Sequence, residues 1–240
     1  MREEVLFGPV EIQAVADVLG SDRAPEPWTM TDQMSFLQTQ TGRELLSTLS
    51  MVGILPSWPM VGQELNDRSW PGMQAHCWNF SSSKMAGLNL KESILYGCGF
   101  SSAEMAGARL EGSRFEHCVF VGTVLTGARL HKTVFNRSSL GFAVLHRVKA
   151  QEASFDGAWL SNAGFDGAHL QEASFVGAVA QKTNFVGTNL RAANFTDAQL
   201  HGANFTDADI HGANFTGATF STSTIWPNRT VPKGARLLQA

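Results

Sequence analysis

ANFTDAQLHGANFTDADIHGANF, residues 193–215, repeats itself almost residue for residue: Ala-Asn-Phe returns every ten positions, and Ala-x-Leu or Ala-x-Ile falls halfway between. Apolar residues thus recur every five. Read outward, the same period runs from Phe80 to Ile225 as thirty consecutive units without an insertion. Phe, Leu, Ile or Met occupies almost every fifth position, Ala150 and Ala180 being the exceptions. Two residues before each sits a small side chain: Ala in most units, otherwise Cys98, Cys118, Thr123, Thr133, Ser138 and similar residues. On an α-helix five residues advance about 140° beyond a full turn, which smears these positions around the cylinder. On a flat strand the alternating intervals of two and three would throw every second pair to the opposite face. A chain that turns a corner in every unit keeps them all inside, and stacked turns of that kind make a solenoid.

Positions twenty apart suggest how many corners close a coil. Phe115, Phe135, Phe155, Phe175, Phe195 and Phe215 form an uninterrupted aromatic series. Leu90, Leu110, Leu130, Leu170, Leu190 and Ile210 form an aliphatic one, broken only at Ala150. Four sides of five residues stack both series as ladders, although another even number of sides also fits the sequence.

The A-N-F-x-x and A-x-L-x-x units over residues 76–225 resemble the pentapeptide repeat family, whose pattern is roughly A-(D/N)-L-x-x. The resemblance implies an all-β solenoid, a right-handed quadrilateral β-helix. It implies about seven and a half coils and a column roughly 36 Å long at the usual strand spacing. Three departures carry expectations. Val148 and Ala150 exchange the large and small inward positions, which conserves volume. Ala178 and Ala180 are both small, which predicts a void or a bulge. Cys98 and Cys118 fall in one ladder and read as buried free thiols, because parallel side chains sit slightly too far apart at Cβ for a relaxed disulfide.

The expected organisation is a small helical N-terminal domain or cap over 1–74, the solenoid over 75–225, and a C-terminal cap or tail over 226–240. Helices are expected from Pro9 to Leu19, around Asp32 to Gln40, and from the capping box Thr41-Gly42-Arg43-Glu44 to about Gly53. Pro227 and Pro232 end the repeat, and Trp226 is placed to cover the last coil. Leu237 and Leu238 either seal that end or form a dimer contact. The resemblance offers a homodimer through the C-terminal end, since some family members dimerise there.

Composition excludes several function classes. The chain is 43% hydrophobic and 16% charged with a net charge of −3, neither a strongly basic nucleic-acid binder nor an acidic tail protein. Three cysteines argue against a disulfide scaffold and for a reducing compartment. The start, MREEVLF, has no apolar core of a secretory signal, and the apolar run at 45–55 is too short for a bilayer. A cytoplasmic protein with no membrane association is expected. The histidines are scattered; His201 and His211, ten apart, fall on opposite faces of a four-sided coil, so neither a metal site nor a cofactor is expected. No nucleophile elbow, P-loop or dinucleotide fingerprint is present, so catalytic residues are not expected. The Asn-Phe-Thr tripeptides at 194, 204 and 214 match the glycosylation sequon but follow from the repeat.

Two outer surfaces stand out. Val119, Val121, Phe142, Trp159 and Val179 fall on one face as an apolar strip, a candidate partner site unless they fold over a corner or are covered by the N-terminal region. On the opposite face Arg109, Arg129 and Lys149 align, continued by His169, as a candidate basic ladder for an acidic partner. Glu92, Glu111, Glu152 and Glu172 lie beside the ladder and are placed to neutralise it. Charge also varies along the axis. Residues 80–150 carry nine Lys/Arg against four Asp/Glu, and residues 151–225 carry two against seven.

The architecture and the absence of catalytic motifs favour a non-enzymatic protein-interaction scaffold displaying flat walls. The family resemblance implies an alternative: a DNA mimic that binds DNA gyrase or topoisomerase IV and protects it from quinolone-type poisons. The acidic C-terminal half fits that alternative, while the basic first half opposes it. Polyanion or nucleic-acid binding through the basic ladder is the third reading.

Overall fold

The computed structural model describes residues 60–238. They form one four-sided solenoid in which a residue of each side bridges, in parallel, the residue twenty positions on, as in Ser154↔Ser174, Trp159↔Val179, Gly164↔Asn184 and His169↔Asn189. The count of four sides is thereby settled. Most sides contribute a single bridged residue. Longer pairing occurs in a three-stranded parallel sheet of β1 (Gln74–His76), β2 (Ile94–Tyr96) and β3 (Arg114–Glu116). A second parallel pair joins β4 (Thr219–Phe220) to β5 (Arg236–Leu237) near the C-terminus. From residue 60 to 220 the chain makes about eight coils, roughly 38 Å of rod at the usual strand spacing.

The five-residue unit follows from where its backbone hydrogen bonds go. In the unit centred on Phe155, the Phe155 N–H donates to Ser174 O on the next coil (2.7 Å), and Ser154 N–H donates to Thr133 O on the previous one (2.9 Å). Ala158 N–H then closes the corner onto Phe155 O (3.0 Å). The third residue of every corner from Gly62 to Gly217 is left-handed, with φ between 54° and 74°, as a type II turn requires. Glycine enters this conformation freely, whereas other residues give up about 1–2 kcal/mol there. Many corners nonetheless carry other residues, and side chains of the unit brace several of the turns. Asn194, Asn204 and Asn214 each accept, through Oδ1, the backbone N–H and the hydroxyl of Thr196, Thr206 and Thr216, respectively. The Asn-Phe-Thr text is therefore corner chemistry.

The small inward position admits hydroxyls for a related reason. Thr123, Thr133, Ser138 and Thr183 are buried, and each donates to a carbonyl of the coil below: Phe100 O, Leu110 O, Phe115 O and Leu160 O, at 2.6–2.8 Å. Each hydroxyl finds an acceptor without leaving the column, so burying it carries little penalty.

The interior is built of stacked rings. Phe115, Phe135, Phe155, Phe175, Phe195 and Phe215 are fully buried and stack face to face with centroids 4.6–5.3 Å apart. A second ladder, Phe165, Phe185 and Phe205, rises on the opposite side and meets the first edge to face, as at Phe155–Phe165 (5.6 Å, 86°). Nearer the N-terminus Phe80, Phe100 and Phe120 stack on a third side. Offset stacks and edge contacts are the arrangements the ring quadrupole favours.

The departures resolve physically. Val148 and Ala150 are both fully buried, consistent with the exchange of volumes. The expected bulge at Ala178 and Ala180 is absent: Val179 bridges Trp159 and Gln199, and Ala180 N–H reaches Gln199 O at 2.8 Å. Phe175 and Phe185, on either side of the two alanines in the chain, are fully buried. Cys98 and Cys118 are buried free thiols. The neighbouring Cys98 thiol and burial push the Cys118 thiol far above the ordinary thiol range, so it stays protonated and unreactive. Cys77 is exposed. A maleimide at neutral pH should therefore label Cys77 rapidly and the other two only on unfolding; mass spectrometry of the intact chain counts the adducts, and fast labelling of Cys118 would contradict its place in the column.

Both ends differ from the sequence-based expectation. Residues 60–74 are solenoid rather than helical domain: Met60, Leu65 and Trp70 are buried in the column, and Glu64 and Ser69 bridge Lys84 and Asn89. The rest of the expected helical region, with its helices, lies outside the described residues. At the other end the period slips by one residue after Phe220. Ile225 is half exposed, not inward, and bridges Asn204 at a spacing of twenty-one. Trp226 takes the inward place and stacks on Phe205 at 4.9 Å, edge-on to Phe215 and Phe220. Leu237 and Leu238 remain exposed, so the tail closes this end by the backbone pairing of β5 and not by burying those leucines.

Candidate functional site

The apolar strip exists and wraps a corner. Val119, Ser139, Trp159 and Val179 bridge in succession along one side. Val119 and Trp159 are exposed, Trp159 by 47%, whereas Val179 is half-buried. Val121 and Phe142 stand on the adjoining corner, Val121 half-buried and Phe142 58% exposed. Beyond it, Val124 and Val144 bridge each other on the next side and continue the apolar surface. These two were missed in the sequence, although they stand twenty apart like every other ladder pair.

Trp159 is held in a defined pose. Its indole Nε1 donates to Ser161 Oγ at 2.7 Å, and the ring lies beside Gly141, where an added Cβ would approach ring carbons to 3.8 Å. Ser161 O meanwhile accepts the Phe142 N–H at 3.1 Å. Phe142 occupies the left-handed corner position with φ 58°, a conformation that is a genuine outlier for a bulky residue. Other non-glycine residues share this corner conformation, but among the described corners Phe142 is the one that carries an exposed phenylalanine ring. Replacing Phe142 with Gly should leave the fold as stable or up to ~1 kcal/mol more stable, relief of the left-handed cost being partly offset by glycine's larger unfolded entropy. Denaturant unfolding would check this, and a loss above about 1 kcal/mol would show that the ring packs on the rod.

The basic ladder is also in place, with Arg109↔Arg129↔Lys149↔His169 bridged in order and all four exposed. Its neutralisation is partial. Glu111, whose side chain is 15% exposed, pairs with Arg129 (2.7 Å) and Lys91 (3.3 Å). Glu152 engages Lys132 (3.5 Å) and His131 (3.8 Å) on the flanking corner. Among the described residues Arg109, Lys149 and Arg147 make no ion pair, and neither do Glu92 and Glu172. Exposed pairs of this kind are worth about 0–1 kcal/mol each, so the ladder's contribution is one of field more than of stability.

A third feature borders the apolar side. Glu116, His117, Asn136, Arg137, Asp156 and Gly157 line an open cleft of about 370 Å³ along one corner. Asn136 Oδ1 accepts from Ser154 Oγ (2.6 Å) and Asp156 N–H (3.2 Å), and Asp156 Oδ1 accepts from Ser174 Oγ and Val176 N–H (2.9 Å). Asn136 and Asp156 are thus tied into the wall, while the Arg137 guanidinium has no partner among the described residues. Among those residues no three His, Cys, Asp or Glu side chains gather as a metal site, and no helix is long and apolar enough to cross a membrane.

Comparison with known proteins agrees with this architecture. A family model described as a pentapeptide repeat region matches residues 148–225, and one for pentapeptide repeats (8 copies) matches 79–112 and 103–141. No curated protein matches the chain. Among solved structures the chain is similar to QnrB1, a plasmid-mediated fluoroquinolone resistance protein, at 16% identity over 76% of this chain and 92% of that one, with a TM-score of 0.37. It is similar to HetL, involved in heterocyst differentiation regulation in the cyanobacterium Nostoc sp. strain PCC 7120, at 20% identity over 71% and 94%, TM-score 0.30. A pentapeptide repeat protein from the Arabidopsis thaliana thylakoid lumen aligns at 28% identity over 42% and 68%, TM-score 0.30. With its five-residue corners, its four-sided coils and both family models matching within the solenoid, this chain belongs to the pentapeptide repeat family.

Proposed function

We propose that the protein is a non-enzymatic interaction module whose docking surface is the apolar corner built by Val119, Val121, Phe142, Trp159 and Val179. The observation that carries this reading is Phe142, an exposed aromatic held at a left-handed corner beside a Trp ring pinned to Ser161. Aromatic anchors that are pre-positioned lose little side-chain entropy on binding, which is why such residues dominate interface energetics. The rigid column behind them supplies a flat wall at no cost of reorganisation.

A topoisomerase-directed duplex mimic is the weaker reading for this chain. Such a mimic needs acidic surface along its length, and here Arg109, Arg129 and Lys149 stand exposed in a row on the N-terminal half. Polyanion binding through that row is supported by the unpaired Arg109, Arg147 and Lys149 and opposed by Glu111 and Glu152 beside them.

The test is chemical cross-linking and affinity capture from host lysate with full-length chain, run beside Trp159→Glu. Capture of a defined protein by the wild type and its loss in the variant is the expected result. Equal capture by both would remove the apolar corner from the function, and salt-sensitive recovery of nucleic acid, lost in Arg129→Glu, would favour the basic ladder instead.

A further inference from the structure

Four features of the rod are arranged about one level of its axis, close to the coil of residues 141–160. The apolar side runs from Val119 to Val179 and is centred there. Within it, the large exposed Trp159 stands one step above that level and the small, half-buried Ser139 one step below, bridged to each other on the same side. On the bordering corner Arg137, whose guanidinium has no partner among the described residues, and Asp156, held through Oδ1 by Ser174 and Val176, flank the level in the same way, across the cleft. Net charge changes sign at the same place. Residues 80–150 carry nine Lys/Arg against four Asp/Glu, and 151–225 carry two against seven. Further out, the first coil holds Glu64 and Asp67 against Arg68, and the tail holds Arg229, Lys233 and Arg236 with no acid.

A two-fold axis lying in the plane of the apolar side, perpendicular to the rod, reverses this order. It sets Val119 of one copy opposite Val179 of the other and lowers each Trp159 onto the shallow surface over Ser139. It brings each Arg137 to the level of the opposite Asp156. It also lays the net-basic half of one rod beside the net-acidic half of the other, with Arg109, Arg129 and Lys149 facing away from the contact. A closed, isologous pair of this kind satisfies both patches at once and leaves no complementary surface free for further growth. The basic ladder, on the opposite side, stays accessible.

We infer that the apolar side is an interface between two copies of this chain, packed side by side and antiparallel. The inference rests on the docking-surface reading above and names its occupant. The facing Arg137 and Asp156 on the bordering corner supply orientation, and the Trp159 rings supply the desolvated centre, with Phe142 at its edge. A parallel pair would set like-charged halves together, and an end-to-end pair would leave the apolar side uncovered.

The experiment uses the full-length chain at tens of micromolar, with mass measured by light scattering across salt concentrations. A spin label on the native exposed Cys77 reports geometry. The expected mass is that of two chains, falling toward one as salt rises, because charges along the rods are screened. The expected Cys77–Cys77 separation is roughly 35 Å, from about 3.6 coils on either side of the two-fold level at ~4.8 Å each. Trp159→Glu should abolish the pair while circular dichroism stays unchanged. Arg137→Asp should weaken it by about tenfold or more, and Arg137→Asp combined with Asp156→Arg should restore it. Restoration is the decisive arm, since Asp156→Arg also forfeits the contacts to Ser174 and Val176.

A monomer at every concentration would overturn the inference. The docking reading would still stand if Trp159→Glu then lost a different captured protein, and would fall with it if that variant changed nothing. A pair indifferent to Trp159→Glu, with Cys77 labels roughly 70 Å apart as an end-to-end arrangement through the tails requires, would also overturn it.

Discussion

Phe155→Ala should destabilise the solenoid by roughly 3–5 kcal/mol, the usual range for emptying a buried aromatic site. The ring is fully buried, stacks on Phe135 and Phe175 with centroids 5.3 and 5.0 Å away, and meets Phe165 edge-on. Collapse into the space is blocked because coils above and below are held by ladder hydrogen bonds at fixed spacing, so the cavity persists. In a chain of this size that loss corresponds to a midpoint lowered by about 10 °C. A solenoid transmits stability between neighbouring repeats only. Hydrogen exchange should therefore show the largest loss of protection in the coils around residues 135–175, and less near Phe80. A change below about 1 kcal/mol would mean that the ring is not a member of the ladder.

Inserting one residue after Gly157 should cost at least ~3–4 kcal/mol, combining an expelled apolar side chain with an unmade buried hydrogen bond. The corner at 156–157 is clamped twice to the coil above. Gly157 N–H donates to Val176 O (2.9 Å), and Asp156 Oδ1 receives Val176 N–H from the coil above. An extra residue breaks one clamp or displaces an inward residue such as Ala158 or Leu160, whose positions are dictated by ladders in both directions. The protein itself contains the permissive counterpart. Residues 221–225 carry one extra residue, and Trp226 still reaches Phe205, because no complete coil lies beyond to demand register. A second insertion between Ser221 and Thr224 should therefore cost less than half as much. Equal costs, measured by chemical denaturation, would mean that register is not enforced by the neighbouring coils.

The Phe ladder and both outer surfaces were legible in the sequence, since a strict period assigns every residue a side and a direction. The second ladder, Phe165, Phe185 and Phe205, was equally legible in principle, being spaced by twenty, but its edge contacts with the first depend on the width of the column. The coil at 60–79 escaped notice because it lacks the Ala-x-Phe text. Its signal is subtler: Val61-Gly62, Asn66-Asp67 and Pro71-Gly72 fall at five-residue spacing and serve as corners, with Asp67 and both glycines left-handed. At the C-terminus Ile225 and Trp226 are adjacent and both apolar, so periodicity pointed to the wrong one. Ring stacking on Phe205 selects the Trp.

Periodicity alone was thus sufficient to require a chain that turns at every unit, and to say which residues point inward, because no other backbone hides an apolar residue at every fifth place. It left open the number of sides, the ends, and the state of the surface. Four-sidedness follows from bridges between residues twenty apart, which are contacts in space. The poise of Phe142 and Trp159 follows from a left-handed corner, a glycine beside the indole and a hydroxyl on the next corner. Hydrophobic patterning records burial; it carries no information about an exposed ring, whose position is set by the neighbours it happens to touch.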